Sequence, residues 1–534
     1  MNKKTKIRTS IIALLILIIG VVSYFVVRSF VFSRLEKTII DQLEALGLDG
    51  IIVRYDSLKT DSWKNKLVIK GLDVKFNGKD SLCFTGATIH EVEINGIALL
   101  PLLLQHELHL DAVFLDGPAI HAMNNFKIPG PKDQGKKVKM NFLKSIRIGR
   151  LRIDSGAVEV IDSTSCKSIA HLHMDVSSRN LSAHFLKVGS PKWAIAEVIL
   201  SGVKADFPTH FYKLTVKNIF YSSQEKLLKL DSAQLMPLYN RKEFARRASQ
   251  QIDQFSCTIP GIQATGFEIG NSQPSYKAHR VDLRFRLEAF RDKRIPRKTR
   301  KPSVLPVRYL QQLAFQLQID TLAISDSYAS YEEFPETGDA PGKVFFNGLH
   351  GGISNISNTS SQGATMNVYA RLMNAGDLNA SFTFPVEAQN ASAVKGTLSN
   401  FSMPEINAIL VPVAHTKIES GKIQEMKFHF QYNEFRSDGE VELSYTNLKV
   451  IRFKKHQEKL ENKFMSFLLN MYVKNDLDKS DSKEKRTGSV QFVRNDQRGI
   501  FNYWWKSVFS GVKSVFIEKG NGPRKQKSTL PLAG

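Results

Sequence analysis

The chain has 534 residues, of which 42% are hydrophobic and 23% charged, enough apolar material for one large core or several. Its formal net charge of +23 suits anionic surfaces such as lipid headgroups. Cys83, Cys166 and Cys257 are few and far apart. That excludes a disulfide framework, a zinc spacing or a CxxC pair, and they read as small buried hydrophobes.

Residues 1–9 form a basic tip, with Lys3, Lys4, Lys6 and Arg8 and no acid. Residues 10–32 follow as an apolar run, interrupted only by Arg28, which can snorkel to the interface. The run is about long enough for one membrane-spanning helix. Ile11, Leu14, Leu15, Leu17, Ile18, Val21, Val22 and Phe25 are its candidate membrane-anchoring residues. Positive charge before the span predicts a cytoplasmic N-terminus and a body sent across the membrane. The run ends in Ser23, Tyr24, Phe25, Val26 and Val27 instead of a small-residue cleavage site, so an uncleaved anchor is expected over a signal peptide. A body on the far side makes nucleic acid an unsuitable partner. Over 33–48, Leu35, Ile39, Leu43 and Leu46 recur at helical spacing before Gly47, which predicts a juxtamembrane helix.

From residue 49 the period becomes two. Residues 49–123 read as a first β region, with a bulge or bend at Gly71, a short apolar run around Pro101 and a turn at Asp116-Gly117-Pro118. Residues 124–140 read as a linker rich in Pro, Gly and Lys, and 141–283 as a middle β region. Residues 284–308 hold ten basic residues against two acidic, with three prolines, and read as an exposed basic linker. Residues 309–455 alternate most cleanly and form a C-terminal β region, with turns expected near Gly376, Ser420-Gly421 and Ser437-Asp438-Gly439. Residues 456–534 read as a helical segment and tail, with helices from Gln457 to Tyr472 and from Ile500. In the second, Phe501, Trp504, Trp505 and Val508 are candidates for contact with a bilayer interface. A helix that simply caps the sheet is the competing reading.

Two stretches resemble each other internally. SIRIGRLRIDSGAVEV from Ser145 matches QLQIDTLAISDSYASY from Gln316, with Leu172-His173 then matching Leu349-His350. VIKGLDVKFNGKDSLCFTGATI likewise resembles TVKNIFYSSQEKLLKLDSAQL. Recurrence of this kind predicts one extended sheet built by repetition.

Catalytic patterns are missing from the sequence. There is no GxSxG, Walker A loop or strand–helix GxGxxG. His171 and His173 share a strand face without an evident third ligand, and Tyr331, Glu332 and Glu333 are consecutive on a strand, so their side chains alternate between faces. No catalytic residue, cofactor or metal is therefore assigned, and a non-enzyme is expected.

The fold class expected is mainly β with a single N-terminal transmembrane helix. Its antiparallel sheet is elongated, curved and built by repetition, forms an apolar groove and is closed by C-terminal helices. Few helices are available to cover so many strands, so the apolar face must pack on another sheet or line a trough. Phe382, Phe384, Phe428, Phe430, Val441 and Leu443 are candidate groove-lining residues.

Two parts of the chain then resemble the AsmA-like proteins of Gram-negative envelopes, relatives of TamB. One is residues 1–125, with VRYDSLKTDSWKNKLVIKGLDVKF and LDAVFLDGPAI. The other is roughly 373–450, with NAGDLNASFTF, VKGTLSNFSMPEINAIL, IESGKIQEMKFHF and SDGEVELSYTNLKV. The resemblance implies an inner-membrane protein, single-pass, with its body in the periplasm and a β-groove like that of bridge-like lipid transfer proteins. It implies phospholipid or another acyl-chain lipid as partner, and a role in outer-membrane lipid homeostasis. Alternatives are an envelope scaffold or assembly factor for outer-membrane proteins, and an anchored hydrolase with an unrecognised site.

Overall fold

A computed structural model describes residues 51–76, 85–124, 144–184, 192–270, 274–297, 302–414, 416–452 and 486–517. The anchor, the juxtamembrane helix, almost all of the 124–140 linker and the helix expected over Gln457–Tyr472 lie outside the described residues. Among the described residues, no helix is long and apolar enough to cross a membrane. The protein is mainly β and divides into two compact units, one up to Leu238 and one from Tyr239.

The first unit contains eleven described strands. They are β1 (Ile51–Arg54), β2 (Ser57–Asp61), β3 (Lys66–Phe76), β4 (Thr85–Asn95), β5 (Glu107–Asp116) and β6 (Ala119–Met123). The longer β7 (Ser145–Ile161), β8 (Ser168–His184), β9 (Lys192–Phe207), β10 (Tyr212–Ser222) and β11 (Leu227–Pro237) follow. Neighbours pair antiparallel, except that β5 and β6 run parallel to β7. Gly71 works as the sequence predicts. Its φ of +62° bends β3, and the partner changes there from β2 to β1. Only glycine adopts this backbone freely. The expected turn at Asp116-Gly117-Pro118 is instead a kink. The chain does not reverse, because β5 and β6 both continue along β7. The apolar run around Pro101 forms a short π-helical turn, Pro101–Gln105.

The second unit has eleven described strands as well. They begin with β12 (Asp253–Thr265), β13 (Glu268–Ile269), β14 (Ser275–Asp292), β15 (Gln316–Phe334), β16 (Gly342–Ser357) and β17 (Ala364–Leu372). They end with β18 (Gly376–Phe384), β19 (Ser392–Ser402), β20 (Thr416–Tyr432), β21 (Arg436–Arg452) and β22 (Arg486–Val493). Its one parallel pair among the described strands is β14 with β15. The described α-helices are α1 (Arg241–Ala248), α2 (Pro306–Gln311), α3 (Asn407–Ala414) and α4 (Ile500–Ile517).

Three expectations need correction here. Residues 284–292 are strand, the second half of β14, and not linker. Their arginines alternate with Phe285, Leu287 and Ala289, and Arg284 and Arg286 pair with Asp326 and Glu288 on the polar face. Ser420-Gly421 is a bulge inside β20, where the register shifts, and Ser437-Asp438-Gly439 lies within β21. Cys166, exposed in the β7–β8 turn, is disulfide-bonded, while Cys257 is a free, half-buried thiol.

The main internal repeat survives as a shared bulge. Ladder pairing breaks after Ile153 and resumes at Gly156; it breaks after Ile324 and resumes at Ser327. Ser155 and Asp326 sit in the breaks with φ of +56° and +37°. Both β7 and β15 also enter their sheets by parallel pairing. The downstream match fails by two residues. Leu172 sits opposite Val158, whereas Leu349 sits opposite Ser327, the counterpart of Gly156.

Helix α1 has complete N-terminal chemistry. The Asn240 side chain accepts from the Glu243 amide, and Glu243 accepts from Arg246 and Arg247. The Arg246 hydrogen bond is the main cause that lowers the Glu243 carboxyl to about 2. Stabilisation from this site is therefore complete above the ordinary value near 4.5 and is lost as pH falls through about 2. A carboxylate titration of Glu243 by NMR is expected to show a midpoint near 2; a midpoint near 4.5 would mean that these bonds do not persist in solution.

Candidate functional site: two apolar sheet faces

Direct partners across a ladder share a face, so the register can be followed from strand to strand. In the first unit one such row runs Leu58, Ile69, Val92, Leu115, Ile153, Val176, Leu200, Ile219, Leu230. Every member is a branched aliphatic residue. A parallel row runs Leu67, Ile94, Val113, Leu151, Ser178, Val198, Tyr221, Leu228. Two members carry hydroxyls, Ser178 and Tyr221, and that of Ser178 donates to the Glu197 carbonyl. The opposite face alternates charges, as in Arg179 with Glu197 and Lys70 with Glu91.

Burial changes along these rows. Ile69 and Val92 belong to a closed core with Leu67, Ile97, Leu110 and Val113. From β7 to β11 the row members Ile153, Val176, Leu200, Ile219 and Leu230 are only half-buried. Among the described residues, no helix packs extensively on these strands.

The second unit repeats the design. Its row is Ala264, Val281, Leu322, Ile353, Met366, Phe382, Val394, Phe430, Gly439, Val490. Val281, Leu322, Ile353 and Met366 are half-buried. Phe382, Val394, Phe430 and Val490 are then 7%, 3%, 2% and 1% exposed. Helix α4 contributes to this difference by packing on β21 and β22, with Trp504 reaching Phe382, and Leu305, Ile406 and Leu410 pack on the same core.

The six residues expected to line a groove are thus brought together, but under a helix. Phe382, Phe428, Phe430, Val441 and Leu443 are buried in one core, and half-buried Phe384 packs against it. They are core side chains in this conformation, not the lining of an open trough. Sequence periodicity places them on one face correctly, but it does not say which part of that face α4 occupies. Ile153, Val176, Leu200, Leu322 and Ile353, half-buried among the described residues, are legible as alternation and partly as repeat positions, but alternation does not mark them as the lining of a groove.

The four candidate interfacial residues divide between two sides of α4. Trp504 packs inward, its ring 4.5 Å from that of Phe382, and Val508 packs on the same core. Phe501 and Trp505 face outward, 69% and 52% exposed. The capping reading therefore holds for one side of the helix, while the other presents aromatic surface.

Glycine lets α4 approach the sheet closely. A Cβ on Gly511 would stand 2.4 Å from Val441 Cγ2, and one on Gly488 would stand 2.3 Å from the Gly511 carbonyl oxygen. Serine fixes the helix further. Ser507 and Ser437 share a buried hydroxyl–hydroxyl bond of 2.7 Å. The edge amides of Ser489 and Gln491 in β22 donate to Ser514 Oγ and Ser510 Oγ.

At its other end the apolar face of β14 runs out through Phe285, Leu287 and Ala289 into a charged set. Arg291 pairs with Asp253 on the neighbouring strand, and Lys293 pairs with Glu333. Tyr331 donates to Glu333 at 2.9 Å, and burial pushes its hydroxyl far up from its ordinary value. Glu332 lies on the other face with Arg241, as strand alternation requires. The set is charge-balanced, with two cations and two carboxylates. His171 lies beside Glu159 and Ser168, and His173 is exposed. Among the described residues, no group of three or more His, Cys, Asp or Glu is placed to hold a metal.

No family model matches the chain, and neither a curated protein nor a solved structure matches it.

Proposed function

We propose that the chain is an AsmA-like protein of the inner membrane, with its body in the periplasm, that binds or conducts phospholipid along its apolar sheet faces. It does so without chemistry, in the service of outer-membrane lipid homeostasis. The observation that carries this reading is the row from Leu58 to Leu230, apolar at every strand and only half-buried from β7 onward. An aliphatic face of this kind is costly in water, and acyl chains exchange bilayer for it at little cost. Headgroups stay in water at the rim. The disulfide at Cys166 supports an oxidising compartment, in keeping with an exported body. The excess of basic residues favours anionic headgroups.

Strand addition by an outer-membrane protein is less favoured at β22, since Ser510 and Ser514 already occupy its edge amides.

Mass spectrometry of lipid extracted from the purified full chain tests the reading. Wild-type protein is expected to carry phospholipid. The double variant Ile153→Asp, Leu200→Asp is expected to lose it while keeping its far-UV circular dichroism. Wild-type protein free of phospholipid, or equal lipid in the variant, would sink the proposal.

A further inference from the structure

We infer that one end of the second unit is a docking surface for an anionic bilayer, built from the outer side of α4 and the loops beside its first turns. The inference goes beyond the lipid-carrier reading and does not depend on it. Sixteen large hydrophobic residues are exposed among the described residues, and seven of them gather here. Phe501 and Trp505 stand four residues apart on the outer side of α4, and the Trp505 ring lies 5.3 Å from that of Phe509. Phe435, in the β20–β21 turn, and Val493, at the end of β22, are 76% and 78% exposed. They are neighbours, because Val493 pairs with Arg436 and the Arg494 amide donates to the Phe435 carbonyl. The Tyr503 hydroxyl donates to the Asn433 carbonyl and ties this turn to α4. Ser303 donates to the carbonyls of Asp496 and Arg498, which brings exposed Val304 and Tyr309 to the same end. Gln311 of α2 in turn donates to the carbonyl of exposed Val386.

The helix cannot roll to hide its aromatic side. Tyr503 is buried and Ser507 bonds to Ser437, so the first turns of α4 are fixed with Phe501 and Trp505 facing out. Both rings stand in water at a cost that a bilayer interface removes. Charge selects the partner. From Ile500 to Ile517 the helix carries Lys506 and Lys513 and no acidic residue. Glu434 holds Arg308 and Arg494, and Asp438 holds Arg436, which leaves Glu387 and Asp496 as the other acids of these segments. The sequence that leads into Pro302 adds Arg297, Lys298, Arg300 and Lys301 without an acid. Exposed aromatic rings flanked by cations fit anionic headgroups above an apolar layer. A second copy of the same surface would bring like charges together.

The test keeps the apolar N-terminal run out of the readout. Full-length protein is held in phosphatidylcholine nanodiscs, which give residues 10–32 a bilayer of their own. Capture by vesicles is then read by flotation, with vesicles of phosphatidylcholine alone or of phosphatidylcholine and phosphatidylglycerol in equal parts. Wild-type protein is expected to float with the mixed vesicles, to be released by high salt, and to stay behind with phosphatidylcholine alone. Phe501→Ser, Trp505→Ser protein is expected to lose capture while keeping its far-UV circular dichroism. Wild-type protein that floats with neither vesicle, or a variant captured as well as wild type, overturns the docking surface. Equal capture by both vesicle types overturns the anionic partner. A wild-type dimer that the variant turns into a monomer in sedimentation, with no vesicle capture, assigns the surface to a second copy and overturns the bilayer. Where the helix variant fails to fold, Phe435→Ser, Val493→Ser decides by the same readout. Capture by protein that carries no phospholipid supports docking and sinks the carrier reading alone.

Discussion

Phe430→Ala is expected to destabilise the second unit by about 4 kcal/mol, the middle of the range for a buried aromatic truncation. Phe430 is 2% exposed and lies between Val394 and Gly439 in the row beneath α4. Its backbone and Cβ approach the Gly439 position so closely that a Cβ there would stand 2.6 Å from Phe430 Cβ. The neighbours are fixed by ladder bonds on both sides, so the cavity has little means of collapsing. Phe384→Ala, at a half-buried position at the end of β18, should cost clearly less. Urea unfolding followed by tryptophan fluorescence makes the comparison. Equal costs at the two positions would mean that α4 does not seal this core.

Gly511→Leu is the second large effect, expected at about 3 kcal/mol of destabilisation. Leucine is the better helix former by roughly 0.8 kcal/mol, so the substitution would stabilise an isolated helix. Here the added Cβ meets Val441 Cγ2 at 2.4 Å and Val490 Cγ2 at 2.8 Å. Val441 and Val490 are 0% and 1% exposed and cannot retreat. The helix must move outward, which also breaks the hydroxyl contacts of Ser507, Ser510 and Ser514. The same unfolding experiment reads it, and a gain in stability would show that the helix does not rest on the sheet through this glycine.

Much of the architecture was legible because a strand writes its period directly into the chain. The apolar phase shift at Gly71 gave the bend in β3, and the match of Ile153 with Ile324 gave repetition, which the structure shows as a bulge common to β7 and β15. Charge misled where it outweighed period. Arg284, Arg286 and Arg291 looked like linker because they are cations, yet the residues between them are apolar at every second position. Gly421 and Gly439 looked like turns, but one relieves a bulge and the other makes room for Phe430. The site was half legible. The alternation identified the apolar face, but which stretch of it is covered depends on where α4 docks. That docking depends on long-range contacts such as Gly488 with Gly511, which leave no periodic trace in the sequence.

The serine contacts at β22 have a consequence for synthesis. Strands in the second unit pair largely in chain order, so each new strand finds its partner already made. The newest strand always presents a bare row of amides, open to any other nascent chain. At ribosomal rates of roughly 5–20 residues per second, that exposure lasts seconds for each strand. It ends only when Ser510 and Ser514 emerge and bond to Ser489 and Gln491. A ribosome stalled before residue 500 would leave a sheet that is paired throughout and still adhesive at one margin.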